Sequence, residues 1–457
     1  MTQPKRSAMP LVLMLAALVI SQCAPPAATE APAATEAPAA TEAQPAATQA
    51  PAATAAPAEP TQAPAEPAGS IRFLAYPWFA LSDAQLARFT EATGIEVVQE
   101  VLGYNEANTK ITTTSAAGTA PGDVMAQYVA PLAANVRAGF VEPLDACLPE
   151  DLKADLLGLE PFTHDGQLMG VPTYYDVQVL HVNTDMLAQA GVEGIPETID
   201  EMVEAAHAVQ DAGLSQYPVI ENRSATAGVT DRWQLYSMVF GGSPLFDENY
   251  QPTFTEPGSA AHQALQFMVD STGDLVDPKM VDVTEYAHDM FLAGDGAFSI
   301  AGTGQYSRAQ DPDVSQVVDK TAIALVPGSG ELRSATLDFY IDGLAVSSLS
   351  ENKEAACQFI EWWLSPETSR AVYEELGATT ARKSLLQQFI DEGVIQNGDV
   401  LLEQGEYAQP LFASGIPPWF EEWIDDTAGH LNQAFRGNLT VDEAIQNIAD
   451  KAVELQQ

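Results

Sequence analysis

Three cysteines, nineteen lysine and arginine residues, and one uninterrupted apolar run of ten residues are all that this 457-residue chain holds of three common signatures. So few cysteines cannot frame a disulfide-dense scaffold. The nineteen bases stand against 63 acids, a net charge of −44 at pH 7. Such a surface repels nucleic acid and anionic membranes and keeps the protein soluble. The apolar run, Leu11 to Ile20, falls short of the about 20 residues that a membrane span needs. No G-x-S-x-G, H-E-x-x-H or phosphate-cradling P-loop is present. The six histidines are scattered and read as structural or surface groups. Asp311 to Asp319 alternates oxygen-bearing side chains but lacks the central glycine and closing glutamate of a calcium loop. It reads as a solvated acidic turn, and no metal or cofactor is expected. Acidic pairs are numerous, so counting alone does not exclude a glycoside hydrolase.

What is present begins with Lys5, Arg6 and the short apolar run, which together read as a secretory signal over 1–23. Cys23 follows "LVISQ" and resembles the cysteine of a bacterial lipobox, although Gln22 stands where a small residue is usual. Lipidation of Cys23 would anchor the chain to the outer face of a membrane, because several acyl chains on one residue hold firmly. Residues 24–69 are almost wholly Ala, Pro, Thr, Glu and Gln, with "PAATEA" recurring every six residues. Such a stretch cannot build a core. It reads as an extended tether reaching roughly 100 Å at most. The folded part is then 70–457, long enough for two lobes. Cys147 and Cys357 fall in it. An exported protein allows them to pair, and two separate buried thiols are nearly as open a reading, because sequence alone does not fix their distance.

The element pattern is α/β. "IRFLAYPWF" reads as a strand. Ser82 follows as a helix N-cap, with Gln85 completing a capping box and Leu81 stapled to Leu86. Gly94 ends that helix and "IEVVQEV" is the next strand, giving a β-α-β unit and a parallel sheet. "GDVMAQYV" reads as a buried strand and "ETIDEMVEAAHAVQDAG" as an amphipathic helix. "NKEAACQFIEWWL" is a helix with Ala356, Phe359, Ile360 and Trp363 inward. A further helix from Pro366 ends at Gly377. Thr440 and Glu443 cap the last helix with a second capping box.

The ordered blocks "AAGTAPGDVM…AGFVEPLD", "DGQLMGVP", "VLHVNTDMLAQAGV", "FLAGDGAFSIAGTGQ" and "ENKEAACQFIEWWLSPE" resemble those of extracellular solute-binding proteins of ABC importers. The resemblance is to the maltose-binding-like, carbohydrate branch, and it covers essentially all of 70–457. Three departures stand out: Gly122 between Pro121 and Asp123, which is expected to reshape a pocket loop, Ile199 after Thr198, and His181-Val182 before Asn183. The resemblance implies a two-lobe periplasmic-binding-protein fold of type II. It implies crossings near 180–184, 338–343 and 379–383, with 70–179 and 344–378 in one lobe and 184–338 and 383–457 in the other. "VQVLHVN" would be the first crossing.

By this resemblance, Tyr174, Tyr175 and Asp176 lie at the mouth of the cleft. Tyrosine faces pack on the C–H side of a sugar and a carboxylate accepts its hydroxyls. Strand alternation gives the competing reading that one of the two tyrosines is core. Loop aromatics add Trp78, Phe79 and Tyr128 from the first lobe. Trp233, Tyr236, Gln305, Tyr306, Trp419 and Trp423 are the candidates from the second. The expected function is a non-enzymatic, monomeric receptor that captures a sugar or oligosaccharide and hands it to membrane permease subunits. A polyamine or other cationic solute and a tethered glycoside hydrolase are the alternatives.

Overall fold

The computed structural model describes residues 69–283, 287–338 and 341–457. The expected signal segment, Cys23 and almost the whole tether lie outside the described residues. Strand Gly69–Ala75 opens the fold, with Ile71 and Phe73 buried and Arg72 exposed between them. Ser82 accepts a hydrogen bond from the Gln85 amide and starts the helix Asp83–Thr93. The Gln85 side chain does not close the expected box; its amide group donates to Glu375. Gly94, at φ 73°, and Gly377, at φ 70°, end their helices in the left-handed conformation that glycine adopts without a Cβ clash. At the last helix, Val441–Glu454, both halves of the Thr440–Glu443 box are made.

Two sheets organise the chain. In the first, the strand order is Ile95–Val101, Gly69–Ala75, Val124–Tyr128, Ile341–Val346, Val171–Tyr175. The first three run parallel, as the β-α-β pattern predicts. Ile341–Val346 returns antiparallel to both of its neighbours, so the sheet is mixed rather than parallel. In the second sheet Gln178–Asn183 is central, and Phe298–Gly302 and Thr321–Ala324 flank it antiparallel. "VQVLHVN" is therefore the middle of this sheet, not a crossing. The chain leaves the first sheet at Tyr175 and Gln178 already pairs with Gly302. The passage thus occupies Asp176 and Val177, ahead of the expected 180–184.

Each sheet has its own core. Phe73, Phe89, Ile111, Phe162, Leu344, Phe359 and Trp363 fill the first. Leu180, Met202, Trp233, Phe246, Phe291, Trp423 and Ile448 belong to the second. A smaller cluster sets Val177, Val179 and Ile323 against Leu386, Phe389 and Leu401. Fully burying one such side chain contributes about 1.5–3 kcal/mol. Cys147 and Cys357 form a disulfide across 210 residues of sequence, with their Cα atoms 5.1 Å apart. Cys147 packs against the first core, and Cys357 lies on the helix Lys353–Trp363, which packs there. Of the three departures, Gly122 packs on Arg72 and Leu74 beside the first strand, away from the cavity described below. Ile199 is buried at the start of helix Ile199–Asp211. His181 is buried, its Nε2 is 3.1 Å from the Gly302 carbonyl, and its ring lies 4.7 Å from that of His288. Burial lowers its pKa to about 4, so it stays neutral.

Candidate binding site

The parallel strands Gly69–Ala75, Ile95–Val101 and Val124–Tyr128 end on the same side, where open α/β sheets carry their ligand sites. Trp78 and Tyr104 follow those ends, and Tyr128 is the last residue of its strand. The antiparallel strand Ile341–Val346 puts Asp342 opposite both Tyr128 and Tyr174 in register. From the end of strand Phe298–Gly302 and the short helix Gln305–Ala309 after it come Gly302, Gly304, Gln305 and Arg308, and Asp231 and Glu421 come from two further helices. Together these residues line a cavity of about 470 Å³ between the two halves. An adjoining hollow of about 650 Å³ shares Trp78, Gly304, Arg308 and Gly377 with it.

The rings form a continuous group. Tyr76 stacks on Trp78 with centroids 4.9 Å apart, Trp78 lies 6.3 Å from Tyr104 in stacked orientation, and Tyr104 meets Tyr128 edge-on at 6.5 Å. Trp78 is 41% exposed, the most open of these rings. Its indole N–H donates to Asp342 Oδ2 at 3.2 Å. The Tyr104 hydroxyl donates to Glu421 at 3.0 Å. Asp342 is only 9% exposed, and among the described residues its Oδ1 has no hydrogen-bond partner. Burial pushes its carboxyl up to about 7; the Trp78 bond opposes this and the nearby Asp176 charge adds to it. Burial also raises Glu421 to about 7, against the Tyr104 hydrogen bond and with help from Asp231 and Asp425.

Asp176 has a different role. Its Oδ2 accepts the Tyr174 hydroxyl at 2.9 Å. Its Oδ1 accepts the Val177 and Thr303 amides, each at 2.8 Å, and the Thr303 hydroxyl. Burial raises this carboxyl while all four hydrogen bonds hold it down. Asp176 thus pins the passage between the sheets to the end of strand Phe298–Gly302 and orients Tyr174. Gly302 makes that contact possible, because a Cβ there would overlap Asp176 Oδ2. Among the described residues, no group of three or more His, Cys, Asp and Glu side chains could hold a metal ion.

The family model for the bacterial extracellular solute-binding proteins matches residues 84–399 of this chain. The chain belongs to that family. This solute-binding protein is 27% identical over 313 residues to a probable amino-acid ABC transporter periplasmic-binding protein of Sinorhizobium fredii. That match covers 65% of this chain and 69% of the relative. A probable ABC transporter-binding protein of Deinococcus radiodurans is 26% identical over 228 residues, 48% of this chain and about half (53%) of that one. Maltose-bound MalE3 of T. maritima superimposes with a TM-score of 0.74 at 23% identity, over 85% of this chain and 100% of that one. A solute-binding protein of Agrobacterium radiobacter in complex with ribitol gives 0.74 at 21%, over 85% and 99%. These likenesses establish the two-lobe fold.

Of the residues singled out from sequence in this solute-binding protein, Trp78, Tyr128, Tyr174, Asp176 and Gln305 meet at the cavity. Tyr175 points the other way, as strand alternation requires, and packs between the first core and the small cluster. Phe79 is sealed against Tyr76 and Trp363. Trp233, Tyr236 and Trp423 are core residues, not cleft residues. Trp233 and Trp423 give their indole N–H groups to Ala261 and Ile448 carbonyls at 3.0 Å, and Tyr236 donates to buried Glu221 at 2.6 Å. The sequence "TDRWQLY" reads as a loop but lies inside helix Ala227–Val239, whose buried residues run nearly all round it. Trp419 packs on Phe246, Tyr250 and Phe412. Tyr306 lines the adjoining hollow and donates to the Thr321 carbonyl at 3.3 Å. Tyr104, Asp231, Arg308, Asp342 and Glu421 were not anticipated. Tyr104 carried the one usable signal, as an aromatic just past a strand end.

Proposed function

We propose that this solute-binding protein of an ABC transporter captures a sugar or polyol in the cavity between its lobes. The observation that carries the reading is the ring group Trp78, Tyr104, Tyr128 and Tyr174 meeting carboxylates from both halves of the chain. Ring faces cover the C–H side of a pyranose or polyol, and Asp342 and Glu421 accept its hydroxyls. The fold neighbours with bound maltose and ribitol support the class of ligand. Closure of the half built on the first sheet, about 69–175 with 341–378, against the half built on the second, from Gln178 onward, would bury the solute by hinge motion. The closed form would then dock on permease subunits, as a monomer held by lipid at Cys23.

The test is a thermal-shift and calorimetric screen of the domain 69–457 against mono- and disaccharides and polyols, with product analysis in parallel. Saturable binding with every compound recovered intact supports the receptor. Hydrolysis of a glycan would overturn it in favour of an enzyme.

A further inference from the structure

We propose that the solute carries a cationic nitrogen beside its hydroxyls, seated between Asp342 and Glu421 against the faces of Trp78 and Tyr104. This inference rests on the sugar or polyol reading of the same cavity and sharpens its substrate class. The first support is Asp342 itself. It is nine-tenths buried and lines the cavity, one oxygen takes a single hydrogen bond from Trp78, and the other takes none among the described residues. A carboxylate left in that state lacks donors, and an ammonium supplies three. A neutral hydroxyl supplies one.

The second support is charge balance. Asp342 and Glu421 line the cavity with carboxyls that burial has raised, and Arg308 is the one cation among its described lining residues. Arg308 is engaged elsewhere, with Asp289 and Gln305 each at 2.9 Å. Buried like charges are costly unless a counter-charge arrives or a proton stays bound. The raised carboxyls of Asp342 and Glu421 are the second outcome; an ammonium supplies the first. The third support is the ring pair. Trp78 and Tyr104 lie stacked 6.3 Å apart, each bonded to one of the two carboxylates. Aromatic faces beside acids attract a cation over a neutral group.

The experiment is calorimetric titration of the domain 69–457 with matched pairs: glucosamine against glucose, glucamine against sorbitol, and putrescine as an amine without hydroxyls. The expected result is at least tenfold tighter binding of the amino member of a pair. Asp342→Asn and, separately, Glu421→Gln should each erase most of that preference while unfolding as cooperatively as the parent. Equal or tighter binding of the neutral member overturns the cationic seat and leaves the sugar reading standing. Putrescine binding alone supports the seat and overturns the sugar reading. Silence from the whole panel overturns both. An amine preference that survives both substitutions also overturns the assignment to these residues.

Discussion

Asp342 is held at a cost to the fold. In the native protein its carboxyl titrates at about 7, whereas an unfolded aspartate titrates at about 3.9. Between those values the folded state keeps a proton that the unfolded chain has released. The contribution of Asp342 to stability therefore declines as pH rises from about 4 and levels off above about 7. Asn cannot ionise. The variant Asp342→Asn should thus be more stable than the parent at pH 8, by about 2–4 kcal/mol, and indistinguishable at pH 4. Urea unfolding at the two pH values checks this; a variant destabilised at pH 8 would contradict it. The sequence revealed only part of this chemistry. Asp176 stood out beside two tyrosines, yet its four hydrogen bonds make it a positioning residue. Asp342 was hidden inside "IDGLAV", which reads as an ordinary buried strand, and Glu421 among the acids of an amphipathic helix. What makes each of them unusual is a neighbour more than 250 residues away, Trp78 for Asp342 and Tyr104 for Glu421.

Helix starts and stops were legible because caps are local: Ser82, Thr440, Gly94 and Gly377 all act within a few residues. Strand direction was not. Nothing within "DGLAVSS" shows that it returns antiparallel between two strands of the first sheet, since that partnership is set by distant chain. Helix Ala227–Val239 was misread for a related reason: buried nearly all round, it shows no polar face to set its period. The end of strand Phe298–Gly302 offers a test at this scale. A methyl group at Gly302 would overlap an Asp176 carboxylate that four donors hold in place, so the side chain cannot swing aside cheaply. Gly302→Ala should cost about 1–3 kcal/mol, as overpacking does. It should also weaken solute binding at least tenfold by displacing Tyr174. Thermal unfolding and titration calorimetry measure the two effects, and unchanged affinity would separate Asp176 from the site.

At the scale of the molecule, two features govern stability. The disulfide Cys147–Cys357 closes a long loop, and removing such a link costs about 2–4 kcal/mol. The double variant Cys147→Ser/Cys357→Ser should unfold at correspondingly lower urea, with the ring group at the cavity still formed. The net charge of −44 opposes compaction. Raising sodium chloride from 0.01 M to 1 M shortens the screening length from about 30 Å to about 3 Å. The melting temperature should climb across that range, and a flat profile would mean that the acids are dispersed enough not to matter.

The passage at Asp176 and Val177 has a practical consequence. One carboxylate grips both a ring that faces the cavity and the Thr303 turn of the opposite sheet. Tugging the ring and flexing the joint are accordingly one mechanical event. If the cavity takes the solute as proposed, a fluorophore attached near Thr303 should brighten or dim with occupancy, and a signal unchanged by any bound solute would uncouple this joint from the cavity.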